Sequence, residues 1–305
     1  MQMGSIGVRD ASHNLLEQPK VTVDSTQPAR EIDVIVVVPC FNEAKRLRVS
    51  TYREFLQSSP EVTLVFVDDG STDETPFVLE KLRQGCPRQV CTLRLGSNVG
   101  KGEAVRRGMQ VALRRRPSMI GYWDADLATP LDSISRFQDV LHARPDVRLV
   151  MGSRVALLGR DIRRSGSRHV VGRIFATAAS LALGLPVYDT QCGAKLFRVT
   201  PSFSELIARP FQSRWVFDVE ILARMIVTSR CEADVSIPGA IYEYPLEAWR
   251  DIRGSRLRPV DFLIAGIDLA AIYWRNRRHP THTSPADTSP RIPHPASPIL
   301  DRDAA

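Results

Sequence analysis

Five short apolar runs, rich in β-branched residues and spread over the first half of the chain, constrain its fold more than any other feature. They are Asp33–Val38 (DVIVVV), Val62–Val67 (VTLVFV), Val90–Leu95 (VCTLRL), Met119–Trp123 and Val147–Met151. A β-branched run without polar alternation marks a strand covered on both faces. Helical stretches lie between the runs. One is expected to start near Ser71, where Ser71 and Glu74 have capping-box spacing. Another follows Gly100 through Ala104, Val105, Met109 and Leu113, and a third follows Pro130. Such alternation predicts an α/β fold: a mostly parallel sheet with helices on both faces. Residues 1–31 are polar and unpatterned and read as a disordered arm. Residues 32–276 read as one domain, and residues 277–305 as a disordered tail rich in Pro, Ser and Thr.

Ligands of such sheets bind beyond the carboxyl ends of the strands. After the first run stands Pro39-Cys40-Phe41-Asn42-Glu43, and after the second Asp68-Asp69-Gly70-Ser71. Gly96 to Gly102, with Asn98 and Lys101, follow the third. Asp124-Ala125-Asp126 follows the fourth and Gly152-Ser153-Arg154 the fifth. Polar, acidic or Gly-rich loops on one sheet edge argue for a nucleotide site. Asp124 and Asp126, two residues apart just past a strand, can both face one cation. Their oxygens suit Mg²⁺ or Mn²⁺, which bridge to substrate phosphates. The Asn98–Gly102 loop lacks P-loop spacing, so Lys101 either touches a phosphate or stands exposed at a helix start.

The net charge of +7 is concentrated. Residues 154–173 hold Arg154, Arg160, Arg163, Arg164, Arg168 and Arg173 against Asp161 alone. One local patch beside apolar stretches, with no nucleic-acid-binding motif, points to phosphates or a membrane surface and away from nucleic acid. Cys40, Cys86, Cys91, Cys192 and Cys231 form no CxxC pair and read as reduced thiols, in keeping with a cytosolic setting. No secretory leader and no stretch long enough to span a bilayer is expected.

The ordered set Val-Pro-Cys-Phe-Asn-Glu, Val-Asp-Asp-Gly-Ser-Thr-Asp, Asn-Val-Gly-Lys-Gly and Asp-Ala-Asp-Leu resembles the family 2 glycosyltransferases of GT-A fold. The likeness covers roughly residues 33–274 and is closest to the branch that makes polyprenyl-phosphate sugars. Asp189 to Phe197 (DTQCGAKLF) and Arg214 to Glu220 (RWVFDVE) look most like the dolichyl-phosphate β-glucosyltransferase type. The resemblance implies a nucleoside pocket lined by Pro39, Asn42 and Glu43. Asp68 would bind base or ribose, and Asp69 would support the turn. Asp126 would be the direct metal ligand, with Asp124 shared between metal and ribose; the metal would neutralise the departing diphosphate. Arg253 and Arg256 would close over the donor diphosphate, with Gly254 as hinge.

A sugar-hydroxyl acceptor needs a general base, whereas a phosphate monoester is already mostly dianionic near neutral pH and needs cations. Arg154 and Arg168 are the expected acceptor-phosphate contacts, with Gln191 and Lys195 in an adjacent loop. Arg163, Arg164 and Arg173 are either further contacts or surface charges. Asp218 is the candidate base for a hydroxyl acceptor; otherwise it orients a substrate or a basic residue. The uncharged stretch Ile174–Tyr188 and the apolar Val260–Trp274 suit helices lying in a membrane interface, or core helices. The resulting expectation is an inverting transfer of glucose from UDP-glucose to polyprenyl or dolichyl phosphate. The enzyme would be peripheral on the cytoplasmic face of a membrane. The alternatives are GDP-mannose or UDP-N-acetylglucosamine as donor, or a sugar hydroxyl as acceptor. A sugar-nucleotide pyrophosphorylase would need a glycine-rich basic loop after the first strand, and Pro-Cys-Phe-Asn-Glu is not one.

Overall fold

In the computed structural model, which describes residues 33–163, 166–214, 216–229, 236–251 and 259–277, the apolar runs are strands. They form β1 (Val34–Cys40), β2 (Val62–Asp68), β3 (Val90–Arg94), β4 (Met119–Trp123) and β5 (Leu149–Ser153). Helices α1 (Val49–Ser58), α2 (Thr75–Gly85), α3 (Lys101–Leu113) and α4 (Ser133–Ala143) connect them. Further on come β6 (Asp161–Arg163), α5 (Gly166–Leu183), β7 (Ala194–Arg198), α6 (Phe203–Ala208) and α7 (Phe217–Ser229). The described chain ends with α8 (Ile237–Ala240), β8 (Ile241–Pro245), β9 (Ala248–Arg250) and α9 (Pro259–Arg277). The arm at 1–31 and the tail beyond Arg277 lie outside the described residues.

A seven-stranded sheet has the order β3-β2-β1-β4-β7-β5-β8. All neighbours are parallel except β7, which runs antiparallel to β4 and β5. The sheet is therefore mixed and mostly parallel. Alternation of side chains across the pleat splits the core. Ile35, Val37, Val65 and Val67 face α3 and α7 on one side, while Val34, Val36, Val38, Leu64 and Phe66 face α1, α2 and α4 on the other. β6 and β9 pair as a separate parallel ribbon.

Helix α2 begins at Thr75, later than the capping-box reading places it. Ser71 is not its cap, because the Ser71 hydroxyl accepts the Asn42 backbone N–H at 2.9 Å. The Asp73 carboxylate instead accepts the Thr75 N–H at 3.0 Å, and Pro76 occupies the first turn. α5 and α9 pack on each other and each also meets α7. They bury Ala179, Leu183, Leu269 and Ile272, yet Ile174, Leu181, Ile267 and Trp274 stay exposed. Among the described residues no helix is long and apolar enough to cross a membrane.

Candidate active site

The carboxyl ends of β1, β2 and β4 lie side by side, because those strands are parallel neighbours. Pro39, half-buried, pairs with Val67 at this edge. Asn42 takes a left-handed conformation, φ 53°, and its Oδ1 accepts the Thr72 N–H at 2.8 Å. This ties the first loop to the second. Glu43 is buried, its carboxylate held by the Arg46 guanidinium through Nε at 2.8 Å and through a second, shorter contact. Arg46 also acts on Asp126 electrostatically.

Asp68 is 3% exposed. Its Oδ1 accepts the Ser71 N–H at 3.0 Å. Its Oδ2 is buried without a hydrogen-bond partner, with the Arg94 Nε 3.4 Å away. A buried acceptor left open is costly unless a ligand completes it. Asp69 supports the turn: its two oxygens accept the Val99 and Gly100 N–H groups at 2.8 and 2.9 Å. Burial pushes its carboxyl up, and those two bonds pull it back. Gly70 sits at φ +68°, and a Cβ there would stand 2.5 Å from the Ser97 carbonyl carbon. That position is closed to other residues.

The acidic pair projects from the end of β4 between two buried aromatics. The Tyr52 hydroxyl donates to the Ala125 carbonyl at 3.2 Å, and Trp123 Nε1–H donates to the Thr129 carbonyl at 2.9 Å. Asp126 Oδ1 accepts the Ala128 N–H at 3.0 Å. Burial raises the Asp126 carboxyl, and the negative charge of Asp124 raises it further. Lys101, the first residue of α3, places Nζ 2.5 Å from Asp124 Oδ1. It is thus not simply exposed at the helix start. Burial opposes its charge, but Asp124 and Asp218 outweigh that and hold the ammonium above its usual range. Two carboxylates form an incomplete cage. Among the described residues no cluster of three or more His, Cys, Asp and Glu is placed to hold an ion. An all-oxygen pair of this kind suits a hard divalent cation whose remaining ligands are phosphate oxygens and water. Burial and the neighbouring Asp124 charge both work against the Asp126 carboxylate, and a cation there would offset them.

The loop before β7 completes the site, since antiparallel β7 presents its amino end at this edge. Gly193 accepts the Asp124 N–H at 2.9 Å. A Cβ on Gly193 would stand 2.0 Å from Asp124 Oδ2. Gly193→Ala is therefore expected to lower turnover by about 10²-fold by displacing Asp124. Steady-state rates alongside a thermal melt check this; full activity with an unchanged melt would refute it.

Several expected acceptor contacts are engaged within the protein. Arg154 makes two parallel bonds to Asp189, Nε to Oδ2 and Nη2 to Oδ1, both 2.6 Å. It also lies 5.3 Å from the Trp249 ring. Burial works against its charge, and Asp189 more than offsets that. Asp189 and Tyr188 are in turn held by Glu243, which accepts their backbone N–H groups. Lys195 is no acceptor contact, contrary to the sequence reading. It is 0% exposed and donates to the Thr190 carbonyl at 2.9 Å, the Cys192 carbonyl at 2.8 Å and Asp218 Oδ1 at 2.7 Å. All three ammonium protons are used. Asp218 is buried and also accepts the Tyr122 hydroxyl, so it orients a basic residue and does not stand at the edge as a base. Gln191 Nε2 is buried without a hydrogen-bond partner. Burial pushes the Cys192 thiol up to about 11, which makes it unreactive. Arg173 donates to the Tyr188 carbonyl at 2.9 Å. Arg163 is exposed and paired with Asp161. The side chain of Arg168, and Arg164, Arg253, Gly254 and Arg256, lie outside the described residues. Sequence reasoning missed Arg46, Asp189 and Glu243. Only Arg46 carries a local signal, its i, i+3 spacing from Glu43.

The family model described as Glycosyl transferase family 2 matches residues 35–202. A dolichyl-phosphate beta-glucosyltransferase of Dictyostelium discoideum is 31% identical over 254 residues, covering 78% of this chain and 72% of that one. The Homo sapiens protein of the same name is 32% identical over 275 residues, covering 84% and 79%. Among solved structures of GT-A type, glucosyl-3-phosphoglycerate synthase from Mycobacterium tuberculosis in complex with Mn²⁺ and UDP-glucose superposes with a TM-score of 0.54. It is 20% identical and covers 80% of this chain and 78% of that one.

Proposed function

Since the chain belongs to glycosyl transferase family 2, we propose that it transfers glucose from UDP-glucose to a polyprenyl or dolichyl phosphate. The transfer is inverting and takes place at the cytoplasmic face of a membrane. One observation carries the choice of acceptor. The carboxylates on the acceptor side are already engaged: Asp189 by Arg154, Asp218 by Lys195 and Tyr122, and Glu243 by backbone N–H groups. A hydroxyl acceptor would need one of them as base, whereas a phosphate dianion needs none. The names of the relatives that cover most of the chain support the same acceptor and sugar.

In this reading Asp68 Oδ2, which has the Arg94 guanidinium near it but no hydrogen bond, accepts an N–H of the base, and Asn42 and Pro39 line the same pocket. Asp124 and Asp126 hold Mg²⁺ or Mn²⁺, which when bound neutralises the diphosphate leaving group. The relative of similar fold holds Mn²⁺ and UDP-glucose. Arg154, oriented by its two bonds to Asp189, offers its remaining N–H groups to the acceptor phosphate. Ile174, Leu181, Ile267 and Trp274 on α5 and α9 rest against the acyl boundary of the bilayer, beside the basic patch.

The test is transfer of radiolabelled sugar. Protein is given UDP-glucose, GDP-mannose or UDP-N-acetylglucosamine with polyprenyl phosphate in detergent, with Mg²⁺ or with chelator. Label entering the lipid phase from UDP-glucose alone, and lost with chelator, is the expected result. Lipid label from another donor would replace the sugar. No lipid label from any donor, with nucleotide binding intact, would reject the phosphate acceptor.

A further inference from the structure

We propose that Lys101 is a resident counter-ion of the acidic pair. Its ammonium holds the cation's place on Asp124 until a nucleoside diphosphate draws it away, so that the metal enters with the nucleotide and not before it. The inference rests on the metal reading above and adds an order of binding to it.

Position argues for a purpose. A lysine at the first residue of a helix is set against the helix dipole, which favours negative charge there. Its side chain nevertheless turns inward, 5.9 Å from the Phe217 ring, and its Nζ meets Asp124 Oδ1 at 2.5 Å. The other Asp124 oxygen lies so close over Gly193 that no Cβ fits between them. Oδ1 is buried under Lys101, so a metal that reaches Asp124, whose side chain is 36% exposed, must share the carboxylate with the ammonium while Lys101 stays. Asp218 is neutralised by Lys195, and the Lys101 ammonium acts on Asp126 more strongly than Arg46 does, so its charge serves the acidic pair as a whole. An ammonium and a divalent ion on one carboxylate repel. A diphosphate arriving at this edge offers the ammonium other oxygens at the same moment that it brings ligands for the metal.

Mn²⁺ binding read by electron paramagnetic resonance, with no sugar donor, tests this without turnover. Wild type is expected to bind Mn²⁺ weakly alone and to tighten on addition of UDP. Lys101→Met, which keeps the stem over Phe217, is expected to bind Mn²⁺ alone about tenfold or more tightly than wild type. Its gain from UDP is expected to shrink. Lys101→Arg, which keeps the charge, is expected to behave as wild type. Equal Mn²⁺ affinity of wild type and Lys101→Met in the absence of UDP would overturn the proposal, as would Mn²⁺ binding to neither protein even with UDP. Lys101→Gln is the second neutral variant should Lys101→Met fail to fold. A Mn²⁺ shift as expected, in a protein that does not glucosylate polyprenyl phosphate, would reject the acceptor and leave the counter-ion role standing.

Discussion

Asp126→Ala is expected to lower sugar transfer by about 10³-fold, the scale for losing a group that stabilises charge in the transition state. Asp126 also has a structural task, since its Oδ1 accepts the Ala128 N–H at 3.0 Å. Asp126→Asn separates the two. The amide oxygen can keep that turn bond, but the negative charge is gone. Equal losses in the two variants, with melting temperatures near wild type, would assign the effect to the charge. An active Asp126→Asn would reduce Asp126 to a turn residue and remove it from the metal site.

Lys195→Met is expected to cost about 3–5 kcal/mol of stability, because it leaves the Asp218 carboxylate buried without its cation. At about 2–4 °C per kcal/mol for a domain of this size, the melting temperature should fall by roughly 10 °C. The pair is fully desolvated, at 0% and 5% side-chain exposure. Removing both charges should therefore hurt less than removing one. The Lys195→Met/Asp218→Asn double variant is expected to recover part of the loss, as buried pairs do when both partners are made neutral. Denaturant melts of the four proteins measure this. Strict additivity would show that Lys195 stabilises through its carbonyl contacts alone.

The first half of the fold was legible because its strands are covered on both faces and so carry unbroken apolar runs. β1 to β5 all overlap such runs, β5 lying two residues later than its run, so that Gly152 and Ser153 belong to the strand and not to the loop after it. β7 does not read that way. Its sequence AKLFR has a lysine at the second position, which alternation assigns to a surface. Lys195 is buried only because Asp218, 23 residues on, and two carbonyls take its protons. Distance along the chain hid the Arg154–Asp189 pair in the same way, the two being 35 residues apart. The loop before β7 escaped for a topological reason. The expectation that ligands meet the loops after strands holds for parallel strands, and an antiparallel strand turns its leading loop to that edge. The acidic pair and the Asp68-Asp69 turn were legible, since both follow parallel strands directly. That Lys101 faces Asp124 was not, because the rotation of α3 is set by packing.

The place of β7 in the sheet also governs the order in which the chain can assemble. Among the described residues β5 pairs with β7 and β8 and has no register with β4. A nascent chain that has emerged as far as β5 can therefore join β3, β2, β1 and β4, but it must hold Leu149–Ser153 without a strand partner until residues 194–198 arrive. During that interval β4 is an open edge, and β5 is an unpaired segment that the finished protein buries completely. Both are templates for pairing between chains. The vulnerable stage of synthesis thus falls between the emergence of β5 and of β7, and a holding chaperone would matter most there.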